Sequence, residues 1–225
     1  MKIIARIHTD FTDKFGIPRQ SGLVPGLRGE IVFEPAFRNA DALRGLEGFS
    51  HLWLIWEFSK ALRQDWSPTV RPPRLGGNER VGVFATRSPF RPNPIGLSCV
   101  KIEEIVFHGP RGPVIRVSGA DLLDDTPIYD IKPYLPYTDS VPEARDGFAG
   151  ERMGHRLTVN CPEKMMAAIP PEHRETVMAL LSQDPRPSYQ HDPERVYGMA
   201  YAHLDIRFRV EDDCLTIIEI IRNPM

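Results

Sequence analysis

Three cysteines are all that the 225 residues contain, and Cys99, Cys161 and Cys214 stand far apart with no CxxC pair. That number and spacing argue against a disulfide framework or a structural zinc site. The seven histidines are scattered, with no HExxH or HxH string, so no metal is expected. The glycine-rich fingerprints GxGxxG and GxxxxGK are missing, which removes a Rossmann dinucleotide site and a P-loop, and no GxSxG elbow is present. No apolar run approaches the roughly 20 residues of a membrane helix. The first residues, Met1-Lys2-Ile3-Ile4-Ala5-Arg6, alternate apolar with charged and lack the apolar stretch of a secretion signal, so a cytoplasmic protein is expected. Excess positive charge is lacking too. The formal net charge is -2, which argues against non-specific attraction to bulk nucleic acid.

What is present is ordinary globular composition, 41% hydrophobic and 26% charged, with length enough for a sizeable core. The charge is uneven. Arg63, Arg71, Arg74, Arg80, Arg87 and Arg91 fall in one stretch against only Asp65 and Glu79. Such a stretch reads either as a solvated loop face or as a surface for phosphate or carboxylate, to which the planar guanidinium fork is suited. The first half of the chain reads as strands. The residues from Lys2 to His8 alternate, His51 to Phe58 is an apolar, aromatic run expected to be buried on both faces, and Val81 to Ala85 is short and apolar. Leu97 to Phe107 alternates imperfectly, and Pro113 to Ser118 is β-branched. Asn39 to Leu46 suits a short helix capped by Asn39. With proline and glycine dense between the runs, this pattern predicts a mainly β protein built on a small β-barrel or sandwich. The polar, glycine-bearing stretch at 142–154 reads as a linker. Beyond it, Glu172 to Leu181 has helical spacing after Pro170 and Pro171, and Val196 to Val210 with Leu215 to Ile220 suggests a closing hairpin, giving a small α+β C-terminal domain.

The run from Arg71 to Gly96 has the oddest composition. Prolines at 72, 73, 89, 92 and 94 fix the backbone, and glycines at 76, 77, 82 and 96 permit close approach. Rigid polar loops of this kind suit either a ligand site or barrel corners. The strings RPPRLGGN (71–78), GVFATRS (82–88) and RPNPIG (91–96) closely resemble the TsaA-like family. Its bacterial members are tRNA N6-threonylcarbamoyladenosine methyltransferases. Further similarity runs through PRQ-GL (18–23), RGLE (44–47), FSHLW (49–53), DLLDDTP (121–127), DIKPYLP (130–136), and QDPRP with Tyr189 in the C-terminal part.

The resemblance implies a β-barrel rather than a Rossmann methyltransferase, covering residues 1–141, with residues 155–225 as a second domain that helps to hold tRNA. It implies S-adenosyl-L-methionine as methyl donor, a homodimer that completes the cofactor pocket, and the anticodon loop of tRNA, threonine tRNA above all, as partner. The cofactor shell it implies is Gln20, Gly22, Leu23, Ser59, Lys60, Arg87, Leu97 and the run Leu123, Asp124, Asp125, Thr126. Arg87 would pair with the methionine carboxylate, while Asp124 and Asp125 would face the cation. Methylating an exocyclic amine also requires a group to orient its N–H and a route for the proton. Asn93, held extended before Pro94, suits the first role or a plain turn. Asp130 and Tyr134, with Lys132 beside them, suit the second or a packed barrel rim. Arg71, Arg74, Arg91, Arg186 and Tyr189 are the expected RNA contacts, with Phe90 and Tyr134 as further candidates for base stacking. Two competing readings are a SAM- or RNA-binding module without turnover, and a methyltransferase acting on a small metabolite.

Overall fold

The computed structural model describes residues 1–61, 65–72, 79–152, 156–186, 190 and 192–223. In chain order the strands are β1 (Ala5–Thr9), β2 (Arg28–Phe33), β3 (His51–Glu57), β4 (Thr69–Val70), β5 (Val81–Gly82), β6 (Ile95–Val106), β7 (Val114–Ser118), β8 (Thr126–Pro133), β9 (Thr158–Asn160), β10 (Tyr197–Tyr201), β11 (Leu204–Glu211) and β12 (Cys214–Arg222). The helices are α1 (Pro136–Asp139), α2 (Glu163–Ala168) and α3 (Pro171–Ser182).

Six strands close into an antiparallel barrel in the order β1-β2-β7-β6-β3-β8. Closure comes from β1, where Ala5 pairs with Phe33 on one side and with Ile128 on the other. A closed sheet leaves no edge of unpaired amides. Its interior holds Ala5, Ile7, Ile31, Leu52, Leu54, Val100, Ile115, Val117 and Ile128, all within 1% of full burial.

The sequence pattern and the strands diverge in instructive places. The aromatic run of β3 is fully buried on one face only. Leu52, Leu54 and Trp56 point inward, while His51, Trp53, Ile55 and Glu57 are half-covered. The imperfect alternation of β6 marks a register shift between Ile102 and Glu104, which turns the following side chains to the opposite face. The strand from Val81 stops after two residues and coils into a tight 3-10 turn over Val83–Ala85. Asn39 does cap a short turn, its Oδ1 accepting from the Asp41 N–H at 3.0 Å, but the turn is 3-10 and ends at Leu43. The stretch from Val196 to Val210 is two strands, reversed at Ala202 and His203, both in the left-handed region.

The later strands form a second sheet, β10-β11-β12-β9, with β9 parallel to β12 and α2 and α3 alongside. Val177, Leu180, Leu181, Met199, Ile206, Phe208 and Leu215 make its core. Phe11, Val24 and Leu27, which precede β2, are buried in that same core rather than in the barrel. Phe15 stacks 6.4 Å from both Tyr197 and Phe208, and the Ala202 N–H donates to the Asp10 carbonyl at 3.1 Å. The connection from β1 to β2 is thereby seated on the second sheet.

Candidate functional site

One end of the barrel opens into a cleft of about 950 Å³. Its floor is built where β3 ends, β6 begins and the chain enters β8, so Trp56, Gly96, Asp121 and Thr126 converge there. Gly96 lies directly beneath the Trp56 indole, where any Cβ would collide with the ring. The indole is fixed from its other edge. Trp56 Nε1 donates to Ser98 Oγ at 3.0 Å, and Ser98 Oγ donates to Asp121 Oδ1 at 2.6 Å. Phe58 packs on Trp56 with ring centroids 4.2 Å apart. The floor is thus apolar, with one carboxylate set into it.

Burial pushes the Asp121 carboxyl above the usual range. The Ser98 hydroxyl, nearby backbone N–H groups and the charge of Arg87 pull the other way without overcoming it. Glu57, also lining the cleft, is bonded by Tyr129, whose hydroxyl is pushed up to about 12 by burial and by the Glu57 charge. On the rim, Arg87 donates to Gln20 Oε1, bridging two loops. Arg91 Nη1 donates to the Thr86 carbonyl at 3.0 Å, and Lys14 Nζ to the Lys60 carbonyl at 2.7 Å. The Phe58 N–H donates to the Pro94 carbonyl at 2.9 Å, tying the proline-rich loop back to β3.

The cleft gathers Gln20, Ser59, Lys60, Arg87, Leu97, Leu123 and Thr126 from the expected cofactor shell, together with Asn93, Arg91 and Phe90. It leaves others elsewhere. Asp124 accepts from the Thr9 N–H at 3.1 Å and lies 3.2 Å from His8 Nδ1. Asp125 accepts from Arg6 Nη1 at 3.1 Å with its backbone at φ 60°. Both carboxylates therefore brace the turn into β8 against β1 rather than lining the cleft, and the cleft's own carboxylates are Asp121 and Glu57. Gly22 donates its N–H to the Gly119 carbonyl at 2.9 Å, with both glycines at positive φ, and neither it nor Leu23 lines the cleft.

Asp130, Lys132 and Tyr134 sit on the outer wall. Lys132 Nζ pairs with Asp130 Oδ2 at 3.0 Å, and Tyr134 packs 5.7 Å from Trp53. In β8 Asp130 and Lys132 alternate with Ile131, and the register shift opposite Ile55 and Trp56 sets which residues turn outward. The expected proton route through them does not reach this chain's cleft. Arg186, an expected RNA contact, is buried instead. Its side chain is 9% exposed, and Nε and Nη2 donate to the two oxygens of Asp184 at 2.8 and 3.0 Å. Arg71 is exposed beside β4. Arg74 and Tyr189 lie outside the described residues. The residues that sequence reasoning passed over are Trp56, Ser98 and Asp121. Only the last carried a signal, standing two residues before Leu123 in a string already singled out. Among the described residues no three His, Cys, Asp or Glu side chains group as metal ligands.

Comparison with known proteins gives consistent relatives. Residues 6–140 match the tRNA-methyltransferase O N-terminal domain, and residues 155–223 match the TrmO C-terminal domain. The chain is 41% identical over 217 residues to the tRNA (adenine(37)-N6)-methyltransferase of Escherichia coli K12, covering 93% of this chain and 92% of that one. It is 46% identical over 173 residues to the protein of the same name from Eikenella corrodens, covering 77% and 97%. A crystal structure of TrmO from Pseudomonas aeruginosa superposes with a TM-score of 0.74 at 34% identity, covering 97% of this chain and 96% of that one.

Proposed function

The chain belongs to the tRNA-methyltransferase O family, and from that premise we propose that its barrel cleft transfers a methyl group from S-adenosylmethionine to N6 of adenosine 37 of tRNA. The observation that carries this reading is the composition of the cleft. An aromatic floor with the Asp121 carboxylate set into it, and the Arg87 guanidinium on the rim, face a space of a size that suits a small-molecule donor. Those residues fit the donor's chemistry. Trp56, Phe58 and Leu97 offer apolar surface for a purine, Arg87 a fork for a carboxylate, and Asp121 a counter-charge for a cation. Bound there, S-adenosylmethionine supplies a methyl group already activated on a sulfonium.

The chain's own task is then positioning. Gln20 holds the Arg87 guanidinium in place, and the Trp56–Ser98–Asp121 chain holds the carboxylate. Asn93 orients the acceptor N–H from the proline-rich loop, whose backbone is pinned to β3. The acceptor is a threonylcarbamoyl-modified adenosine beside the anticodon, threonine tRNA being the first species to try. Residues 1–141 carry the transfer, residues 155–225 help to hold the tRNA, and 142–154 joins them. Arg91 at the cleft and Arg71 beside β4 meet the tRNA phosphates. Two copies form a homodimer, and the reaction takes place in the cytoplasm, where its tRNA is.

The test is methyl transfer from labelled S-adenosylmethionine to threonine tRNA with and without the threonylcarbamoyl group. Transfer to the modified tRNA alone supports the whole reading. Transfer to both moves the specificity away from the modification, and transfer to neither, with donor binding intact, removes tRNA as the acceptor.

A further inference from the structure

Two large aromatic side chains stand at the cleft mouth with little to cover them. Trp66 is 49% exposed and Phe84 is 70% exposed. Their rings stack on one another, centroids 6.0 Å apart and planes 29° from parallel. Phe84 lines the cleft, and Trp66, which does not, joins that surface only through its stack on Phe84. A soluble protein rarely leaves such a pair open without a use for it.

The pair is held in place by its backbone. Thr69 and Val70 of β4 pair with Gly82 and Val81 of β5, between the two aromatics in sequence. The Val83 N–H donates to the Pro68 carbonyl at 2.9 Å, and the Val83 side chain, 1% exposed, anchors the turn that presents Phe84. Ser67 Oγ donates to the Thr69 carbonyl at 2.7 Å, and Arg80 Nε to Thr69 Oγ1 at 2.8 Å. A fixed aromatic surface loses little entropy when a flat partner settles on it.

The surroundings select the partner. Arg71, Arg80 and Arg91 belong to the same stretch of chain, which suits a polyanion. A flat, apolar ligand joined to a polyanion is a nucleobase in single-stranded nucleic acid, and every base offers a π-face whatever its sequence. We propose that Trp66 and Phe84 form a stacking shelf for an unpaired nucleobase next to the adenosine delivered to the cleft. This rests on the reading of the cleft as a tRNA methyl-transfer site. The shelf positions the RNA and takes no part in the chemistry.

The experiment uses the full chain, with steady-state methyl transfer to tRNA as readout. Trp66→Ala should raise KM for tRNA roughly tenfold or more while leaving the donor Kd unchanged and most of kcat retained at saturating tRNA. Trp66→Phe, which keeps a stacking ring, should stay within about threefold of the parent. An anticodon stem-loop should quench tryptophan emission in the parent and lose that part of the quench in Trp66→Phe, a readout that needs no turnover. An unchanged KM in Trp66→Ala together with equal quenching in parent and Trp66→Phe would overturn the shelf. So would loss of a dimer in Trp66→Ala on sedimentation with KM unaltered, which would assign the pair to contact between two copies. Failure of the parent to methylate any tRNA would strike the cleft reading itself, a separate result.

Discussion

Gly96 has no side chain because the Trp56 indole occupies the space above its Cα, and the indole cannot retreat while Ser98 holds its N–H. Gly96→Ala is expected to cost roughly 1–3 kcal/mol of stability through overpacking and to weaken donor binding as the ring is pushed into the cleft. A thermal melt read beside a donor titration checks both, and an unchanged melt would show the ring to be loose. Asp121 makes a different prediction. Its folded carboxyl holds a proton more tightly than the unfolded one, because burial raises its pKa. Its contribution to stability is therefore greatest at low pH and declines as pH rises from the ordinary carboxylate value through the folded one. Asp121→Asn cannot ionise. Its stability relative to the parent should improve from pH 4 to pH 7 in urea unfolding while donor affinity falls, and a flat difference would refute the assignment. Arg186, in the QDPRP string that resembles the family, read as an RNA contact. What sequence could not display is Asp184 turning back at φ 51° to grip it. Arg186→Ala leaves the partly buried Asp184 carboxylate with the backbone N–H of residue 186 but without its charged partner, and should cost about 1–3 kcal/mol. Loss of tRNA affinity with no loss of stability would restore the RNA role.

At the scale of elements, alternation identified the strands whose two faces differ and lost those whose phase is broken. β1 was legible because its apolar period runs uninterrupted, and β7 and α3 because theirs also follow proline breaks. β8 was not, since Pro127 and Pro133 bracket it and a register shift at its middle scrambles inward and outward residues. This misplacement is why Asp130, Lys132 and Tyr134 entered the expected site. Their residue types suited proton transfer, and only the strand's phase turns them to the outer wall. The proline-rich loop, by contrast, delivered Asn93, Arg87 and Arg91 to the cleft as its stiffness suggested. The reversal between β10 and β11 offers a direct check on backbone strain. Exposed His203 sits at φ 60° where a two-residue hairpin favours glycine. His203→Gly is expected to stabilise the chain by a few tenths to about 1 kcal/mol, the relief of the left-handed cost exceeding the added freedom of the unfolded chain. A lowered midpoint in denaturant would show that the imidazole contributes more than the strain costs.

Over the whole molecule, the strand pattern predicted a small β-barrel or sandwich followed by an α+β unit, and the structure has a closed barrel followed by a second sheet with helices alongside. That pattern held no sign that the β1–β2 connection is buried in the core of the second unit. Closure joins β1 to β8 across more than a hundred residues, and Phe11, Val24 and Leu27 cross to the second sheet, so both features depend on partners far away in sequence. Ending the chain near residue 152 would uncover those three side chains and release the connection that carries Lys14 and Gln20 to the cleft rim. Such a truncation should lose donor affinity as well as tRNA affinity, measurable by calorimetry. Full donor affinity in the truncated chain would show that the connection keeps its shape unaided.

The burial of the β1–β2 connection in the second core also sets an order of events during synthesis. Phe11, Val24 and Leu27 leave the ribosome more than 150 residues ahead of the side chains that bury them, Met199, Phe208 and Leu215 among them. For most of translation the nascent chain displays an apolar patch that it has no means to cover, a natural binding place for a chaperone. The rim of the cleft, though translated early, is among the last parts of the molecule to take its final shape.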